Sequence, residues 1–311
     1  MSTEIELSVV SPAFNEEAGI LAFYREVKRV CLAAKVSHEI ILVDDGSRDR
    51  TYVALAAIRQ EDPSCVRVIR LARNFGHQLA ITAGIRAARG RAVVVMDADL
   101  QDPPAVIADF LARWREGHEV VYGRRSERKG ETWFKKWTAH QFYRLIRSLA
   151  KVDIAEDSGD FYLLDRKVVD IINGMEEHHR FLRGLIAWVG FRRSAVNYVR
   201  EARVAGQTKF GLWKMVNFAL DAVISFSFAP LRVASIAGGI ISLVAFIGIL
   251  VTIYLKIFTQ YTVVGWASLM IAILFIGGIQ LLAIGLIGEY VARIGDDVKR
   301  RPLYTVLEVL E

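Results

Sequence analysis

Cysteine is almost absent: Cys31 and Cys65 are the only two thiols in 311 residues. Two cysteines without metal-type spacing exclude a disulfide scaffold and a thiolate zinc site, and they read as small, semi-buried residues of a reducing compartment. Both common glycine-rich phosphate cradles are missing too. No Gly-x-Gly-x-x-Gly follows the first expected strand, and no Gly-x4-Gly-Lys-Ser/Thr occurs anywhere. There is no internal repeat and no low-complexity tract. The opening residues, MSTEIELSVV, lack a basic stretch followed by a long apolar one, so no cleavable secretion signal is expected.

Charge is missing in two places. From Val233 to Leu255 there is no charged residue, and from Trp266 to Gly288 the only strongly polar side chains are Ser268 and Gln280. As helices these runs are each about 34 Å long, enough for a hydrocarbon core of about 30 Å. Buried helices of globular proteins rarely stay apolar on every face for that length, so two membrane spans are expected, at 230–257 and 264–290. The joining loop, Lys256–Gly265, carries one basic residue, whereas Arg232 precedes the first span and Lys299-Arg300-Arg301 follow the second. The positive-inside bias then predicts a multi-pass protein of the inner (cytoplasmic) membrane, with both termini and a tail at 291–311 in the cytoplasm. Within the first span, Ser235-x-x-x-Gly239 permits close helix approach and hints at a homo-oligomer.

Elsewhere charge is plentiful. The formal net charge of +6 and pI near 9.3 favour anionic partners: phosphorylated ligands, nucleic acid or an acidic membrane surface. The first 210 or so residues read as one α/β domain. Strands are expected at Glu6–Ser11, His38–Val43, Val66–Leu71, Ala92–Met96 and Glu119–Tyr122. Helices are expected at Ala18–Ala33, Thr51–Glu61, Gln78–Arg89 and Pro104–Glu116. Such alternation implies a mostly parallel, Rossmann-like sheet with helices on both faces and a ligand cleft beyond the carboxyl ends of the strands. Four of those ends are polar or acidic: Pro12–Glu17, Asp44–Asp49, Arg73–Gln78 and Asp97–Asp102. Residues 211–229, mostly apolar with Lys214, Asn217 and Asp221 interspersed, read as an amphipathic helix at the membrane interface.

The stretch VVVMDADLQDPP, Val93–Pro104, runs a buried strand into three carboxylates. Asp97, Asp99 and Asp102 repel one another unless a divalent cation, an arginine cluster or protonation intervenes. Hard oxygen donors suit Mg2+ or Mn2+, which bind through one or two carboxylates plus substrate phosphate oxygens. Asp102, just before Pro103-Pro104, also reads as the start of the next helix, its side chain capping it.

These segments carry a resemblance. Pro12-x-Phe14-Asn15-Glu16-Glu17, Val43-Asp44-Asp45-Gly46-Ser47, Arg73-Asn74-Phe75-Gly76 and Asp97-Ala98-Asp99-Leu100-Gln101-Asp102-Pro103-Pro104 resemble glycosyltransferase family 2 with a GT-A fold. More narrowly they resemble polyprenyl-phosphate glycosyltransferases, especially the bactoprenol (undecaprenyl-phosphate) glucosyltransferases. Ser158-Gly159-Asp160-Phe161, Phe181-Leu182-Arg183-Gly184-Leu185, Gly206-Gln207-Thr208-Lys209 and Gly288-Glu289-Tyr290 extend the likeness along the chain, with Phe210 as a departure from the family's Trp or Tyr.

The resemblance implies a nucleotide-sugar site made by Pro12, Phe14, Glu16, Val43, Asp45, Arg73, Asp97, Ala98, Asp99 and Gln101. In it Asp45 reads the base edge, and Asp97 and Ala98 line the ribose and diphosphate. It implies Mg2+ or Mn2+ on Asp97, Asp99 and Gln101, and donor and acceptor phosphates held by Arg125, Arg128, Arg203 and Lys209. Arginine suits bidentate phosphate contact, whereas Arg124 and Lys129 read as a solvated charge run. Asp160 is the candidate base, or an orienting group, because a phosphate acceptor is already ionised near neutral pH. Asp160, Asp99 and Arg125 form the catalytic set.

The reaction so implied is an inverting sugar transfer, with UDP-glucose the expected donor and undecaprenyl or another polyprenyl phosphate the acceptor. UDP-aminoarabinose and GDP-mannose are the alternative donors. No nucleic acid partner is expected; a flippase and a second glycosyltransferase would act downstream to modify a surface polysaccharide. A phosphatase-like Asp-x-Asp enzyme and a non-enzymatic membrane scaffold are the rival readings. His77, His118, His140, His178 and His179 read as surface or partly buried residues without a zinc pattern.

Overall fold

Leu7–Ala13 is buried along its whole length, which a strand can be only where both faces of its sheet are covered. In the computed structural model, which describes residues 5–125, 158–200, 229–258 and 265–311, this segment is β1 of an eight-stranded sheet. The elements follow as α1 (Ile20–Ala33), β2 (His38–Asp44), α2 (Thr51–Glu61), β3 (Val66–Leu71), α3 (His77–Ala87), β4 (Ala92–Val95), α4 (Val106–Arg115) and β5 (Val120–Arg125). Then come β6 (Ser158–Asp165), α5 (Arg166–Gly174), α6 (Leu182–Trp188), β7 (Arg193–Tyr198), α7 (Ala229–Phe258), α8 (Trp266–Val298) and β8 (Val306–Leu310).

The strand order is β7-β5-β6-β4-β1-β2-β3-β8. The stretch β4-β1-β2-β3 is parallel, as the strand–helix alternation predicts. The sheet as a whole is mixed but mostly parallel, as expected: six of its eight strands run one way, β7 pairing parallel with β5. β6 runs antiparallel between β4 and β5, and β8 runs antiparallel along the outer edge of β3. Neither strand emerges from periodicity, because each is specified by long-range pairing.

Alternate side chains of the central strands enter two cores. Val9, Ile40, Leu42 and Val94 meet Phe23 and Val27 of α1, Leu55 of α2 and Phe110 of α4 on one face. Val10, Ile41, Val43, Val93 and Val95 meet Ala80 and Ile81 of α3, Val168 of α5 and Leu185 of α6 on the other. Each fully buried aliphatic or aromatic side chain contributes roughly 1.5–3 kcal/mol. The central strands therefore form a rigid platform, and their carboxyl ends are the place where side chains can be held still.

The last residues are not a free tail. Ala72 N–H donates to the Thr305 carbonyl (2.9 Å), Tyr52 donates its hydroxyl to Glu308 (2.5 Å), and Glu311 pairs with Arg67 and Arg89. The chain thus leaves α8 and returns to the sheet. The helices α7 and α8 contain Ala234–Leu255 and Phe275–Val298, stretches long and apolar enough to cross a membrane by length and composition; among their described side chains Tyr290 alone is buried. The expected interfacial helix at 211–229 lies, but for Ala229, outside the described residues.

Candidate active site

Four strand ends meet as the sequence predicts, and polar bonds lock them together. Asn15, with φ 56°, turns the chain after β1; its N–H reaches Ser47 Oγ (3.0 Å) while its side chain accepts from Arg48 N–H (2.9 Å). Glu16 N–H donates to Thr51 Oγ1 (2.8 Å). Gly46, with φ +66°, lets the loop after β2 lie against the backbone of Arg73, where an added Cβ would sit 2.4 Å from a carbonyl carbon. Asp45 then accepts from Phe75 N–H (2.7 Å) and Gly76 N–H (3.0 Å). Burial pushes its pKa up against those two bonds. Arg73 stacks its guanidinium over the Phe75 ring at 4.0 Å, and Phe14 stands 38% exposed nearby in sequence to Pro12, which is buried. Val43 and Ala98 are buried, so Val43 packs in the core and only its backbone can face the cleft.

The end of β4 is built by a different device. Met96 is buried, Asp97 emerges, and Leu100 takes φ 55° while Asp99 Oδ1 accepts from Gln101 N–H (3.1 Å). Leu100 is therefore a turn residue that separates Asp97 and Asp99 from Asp102. Asp102 does not cap the next helix. That helix begins at Val106 after Ala105, with no side-chain cap. Asp102 is instead 1% exposed and takes the Tyr198 hydroxyl on Oδ1 at 2.5 Å. Arg200 and Arg125 stand 3.6 and 3.9 Å from the same oxygen. Burying a carboxylate is tolerable only with such partners.

Across the cleft, β6 pairs with β4 so that Tyr162 lies opposite Val95. Continuing that antiparallel register brings Asp160 level with Asp97. Asp160 Oδ2 accepts from Gln78 Nε2 (3.0 Å) and His77 Nε2 (3.2 Å), and Arg183 Nε lies 3.2 Å from Oδ1. His77 Nε2 is also 3.4 Å from Asp97 Oδ1. Burial would raise the pKa of Asp160, but Arg183, His77 and Gln78 together hold it below the usual aspartate value. Burial, with the charges of Asp160, Asp99 and Asp102, pushes Asp97 up to about 6 despite His77 beside it. Burial would lower the pKa of His77, yet the bond to Asp160 and the charges of Asp97 and Asp160 raise it to about 9.

His77, Gln78 and Arg183 thus contact the expected site carboxylates, while Tyr198 and Arg200 contact Asp102. No spacing rule links residues 77 and 160, so a sequence signal for His77 did not exist beyond its place after Arg73-Asn74-Phe75-Gly76. His178 and His179 face Asp297 and Asp296 at 3.7 and 3.5 Å, tying the loop before α6 to the end of α8. Cys31 is buried and Cys65 partly so, both free. Arg128, Arg203, Lys209 and His140 lie outside the described residues.

Among the described residues no three acidic, histidine or cysteine side chains form a ready-made metal cage. Asp97, Asp99 and Gln101 nevertheless offer hard oxygen donors at the end of β4, with Asp160 across from Asp97. That suits an ion completed by phosphate oxygens of a ligand, as Mg2+ and Mn2+ sites commonly are.

Residues 8–172 match the model of glycosyl transferase family 2. The chain belongs to glycosyltransferase family 2. It is 48% identical over 306 residues to the uncharacterized glycosyltransferase YkcC of Bacillus subtilis (strain 168), covering 98% of this chain and 94% of that one. It is 39% identical over 303 residues to the bactoprenol glucosyl transferase of Shigella phage SfII, covering 97% of each. Among solved structures it is similar to glucosyl-3-phosphoglycerate synthase from Mycobacterium tuberculosis in complex with Mn2+, UDP-glucose and phosphoglyceric acid. That likeness has a TM-score of 0.48 and 19% identity over 71% of this chain and 78% of the other. The protein is a glycosyltransferase related to the bactoprenol glucosyl transferases. The phosphatase-like and scaffold readings give way to that membership.

Proposed function

We propose that this glycosyltransferase transfers glucose from UDP-glucose to a polyprenyl phosphate, undecaprenyl phosphate in a bacterial membrane, at the cytoplasmic leaflet. The observation that carries this reading is likeness over 97% of the chain, apolar helices included, to a bactoprenol glucosyl transferase. The two apolar helices would lie in the bilayer and hold the cleft close to the lipid headgroup.

The cleft chemistry supports it. Pro12, Phe14, Glu16, Asp45 and Arg73 would hold the nucleoside, and Asp97 with Ala98 the ribose and diphosphate. A divalent cation on Asp97, Asp99 and Gln101 would neutralise charge growing on the leaving diphosphate. Arg125, together with Arg128, Arg203 and Lys209, would hold the acceptor phosphate against its repulsion by the donor. An oxygen of that phosphate attacks the anomeric carbon from the face opposite the leaving group. The carbon–oxygen bond to the diphosphate breaks, its electron pair leaves with UDP, and the configuration inverts. The attacking oxygen is already ionised, so no proton need be removed. Asp160, kept anionic by the charge of Arg183 and the bonds from His77 and Gln78, is a weak base and serves to orient the sugar.

The test is a transfer assay on membranes containing the full chain, undecaprenyl phosphate, Mg2+ or Mn2+, and a panel of radiolabelled nucleotide sugars including GDP-mannose and UDP-aminoarabinose. Label from UDP-glucose in the lipid fraction is expected, lost with a chelator and restored by metal. Asp99→Ala should reduce transfer at least about 10²-fold. Lipid labelling from no donor would overturn the acceptor assignment, and full activity of Asp99→Ala would overturn the metal site.

A further inference from the structure

His77 is the first residue of α3, following Gly76 with its φ of +100°. Its side chain is 43% exposed and opens to the cleft, so packing does not explain where it points. Its Nε2 lies between two carboxylates from different strands, 3.2 Å from Asp160 Oδ2 and 3.4 Å from Asp97 Oδ1. Ionised carboxylates only accept, so this nitrogen must carry the hydrogen. The loop that presents it is also fixed: Phe75 N–H and Gly76 N–H both donate to Asp45. Gln78, the next residue, donates to the same oxygen of Asp160 and accepts from Leu182 N–H (3.1 Å), which anchors α6 and its Arg183.

We propose that His77 is a positioning residue for sugar transfer: its Nε2–H bridges Asp160 and Asp97 and holds the Asp160 carboxylate in the orientation that receives the sugar. This rests on the proposed role of Asp160 and Asp97 in the donor site. Two carboxylates on adjacent strands would otherwise repel and turn apart. A single N–H aimed between them counters that, while Arg183 restrains the other oxygen of Asp160. Because Asp45 both faces the nucleoside site and ties down Phe75 and Gly76, a nucleotide seated on Asp45 would also steady the loop that aims His77.

The experiment compares His77→Ala and His77→Gln with wild type, as full chains in nanodiscs containing polyprenyl phosphate. His77→Ala is expected to lower kcat about 10²-fold, the usual consequence of a misplaced reacting group. The KM for the nucleotide sugar and the Tm should stay near wild type, because the side chain is exposed. His77→Gln, which retains an N–H donor at similar reach, should recover about tenfold of that loss. Wild-type kcat in His77→Ala, or equal losses in both variants, would overturn the proposal. The contact is read separately from turnover by imidazole 15N spectra of the histidine-labelled chain, in which Asp160→Asn should shift the His77 Nε2 resonance. No shift would overturn it as well. If wild type labels no polyprenyl phosphate, the acceptor reading fails while this spectrum still decides the bridge.

Discussion

Asp102 and Arg125 illustrate how single residues prepare the cleft. A carboxylate at 1% exposure fixes Tyr198 and draws the guanidinium groups of Arg125 and Arg200 to one side. Its charge therefore orients cations and does not bind a ligand itself. Gly159 on β6 makes room for one of them, since an added Cβ would stand 2.5 Å from Arg125 Nη2. The obstructed atom is the end of a flexible side chain, so Gly159→Ala should leave the fold intact, with about 1 kcal/mol or less lost in unfolding. It should push the guanidinium aside and lower transfer about tenfold. Chemical denaturation beside the lipid-labelling assay checks this, and unchanged turnover would remove Arg125 from acceptor binding.

Elements are joined by polar locks at both margins of the sheet. On one face, Asp62 at the end of α2 accepts from Tyr24 (3.0 Å) and pairs with Lys28 (2.8 Å), both on α1. Burial would raise the pKa of Asp62, but the bonds from Lys28 and Tyr24 outweigh it and leave it lowered. A carboxylate with a depressed folded value stabilises fully above its ordinary pKa near 3.8 and loses that contribution as pH falls through the folded value. Asp62→Asn should therefore cost about 1 kcal/mol at neutral pH, a modest figure because Lys28 is open to solvent. The melting temperatures of variant and wild type should converge as the pH is lowered, and a constant gap across the acid range would refute the linkage. At the other margin β8 covers the edge of β3, which would otherwise present unpaired backbone groups.

At the scale of the whole molecule, a chain of net charge +6 carries two long apolar helices whose described side chains, Tyr290 apart, are not buried. Ile240, Leu243, Phe246 and Ile247 on α7, and Leu281 and Ile284 on α8, are each about half exposed or more. Exposed apolar surface of that extent is untenable in water. The full chain is expected in the membrane fraction, resistant to alkaline carbonate and released by detergent; release by carbonate alone would contradict the two spans. The end of α8 meets the loop before α6 through Asp296 and Asp297, and its continuation forms β8. The second apolar helix is thus tied to the catalytic sheet at two places.

Local chemistry made much of this legible. The strands from β1 to β5, the four intervening helices, the four polar strand ends and the two apolar runs follow from hydrophobic period, turn residues and length, all properties of neighbouring residues. The acidic stretch after β4 also declared its chemistry, because unpaired carboxylates at a buried strand end demand compensation wherever the chain goes. Only the tertiary structure decided what compensates each one. Asp102 found Tyr198, Arg125 and Arg200 in place of a helix end, His77 reached Asp97 and Asp160, and the C-terminal residues became an edge strand. Those outcomes depend on β6, β7 and β8 entering the sheet beside strands far away in sequence. Short-range pattern carries no information about such partners, since the pairing energy arises only after the chain has closed on itself.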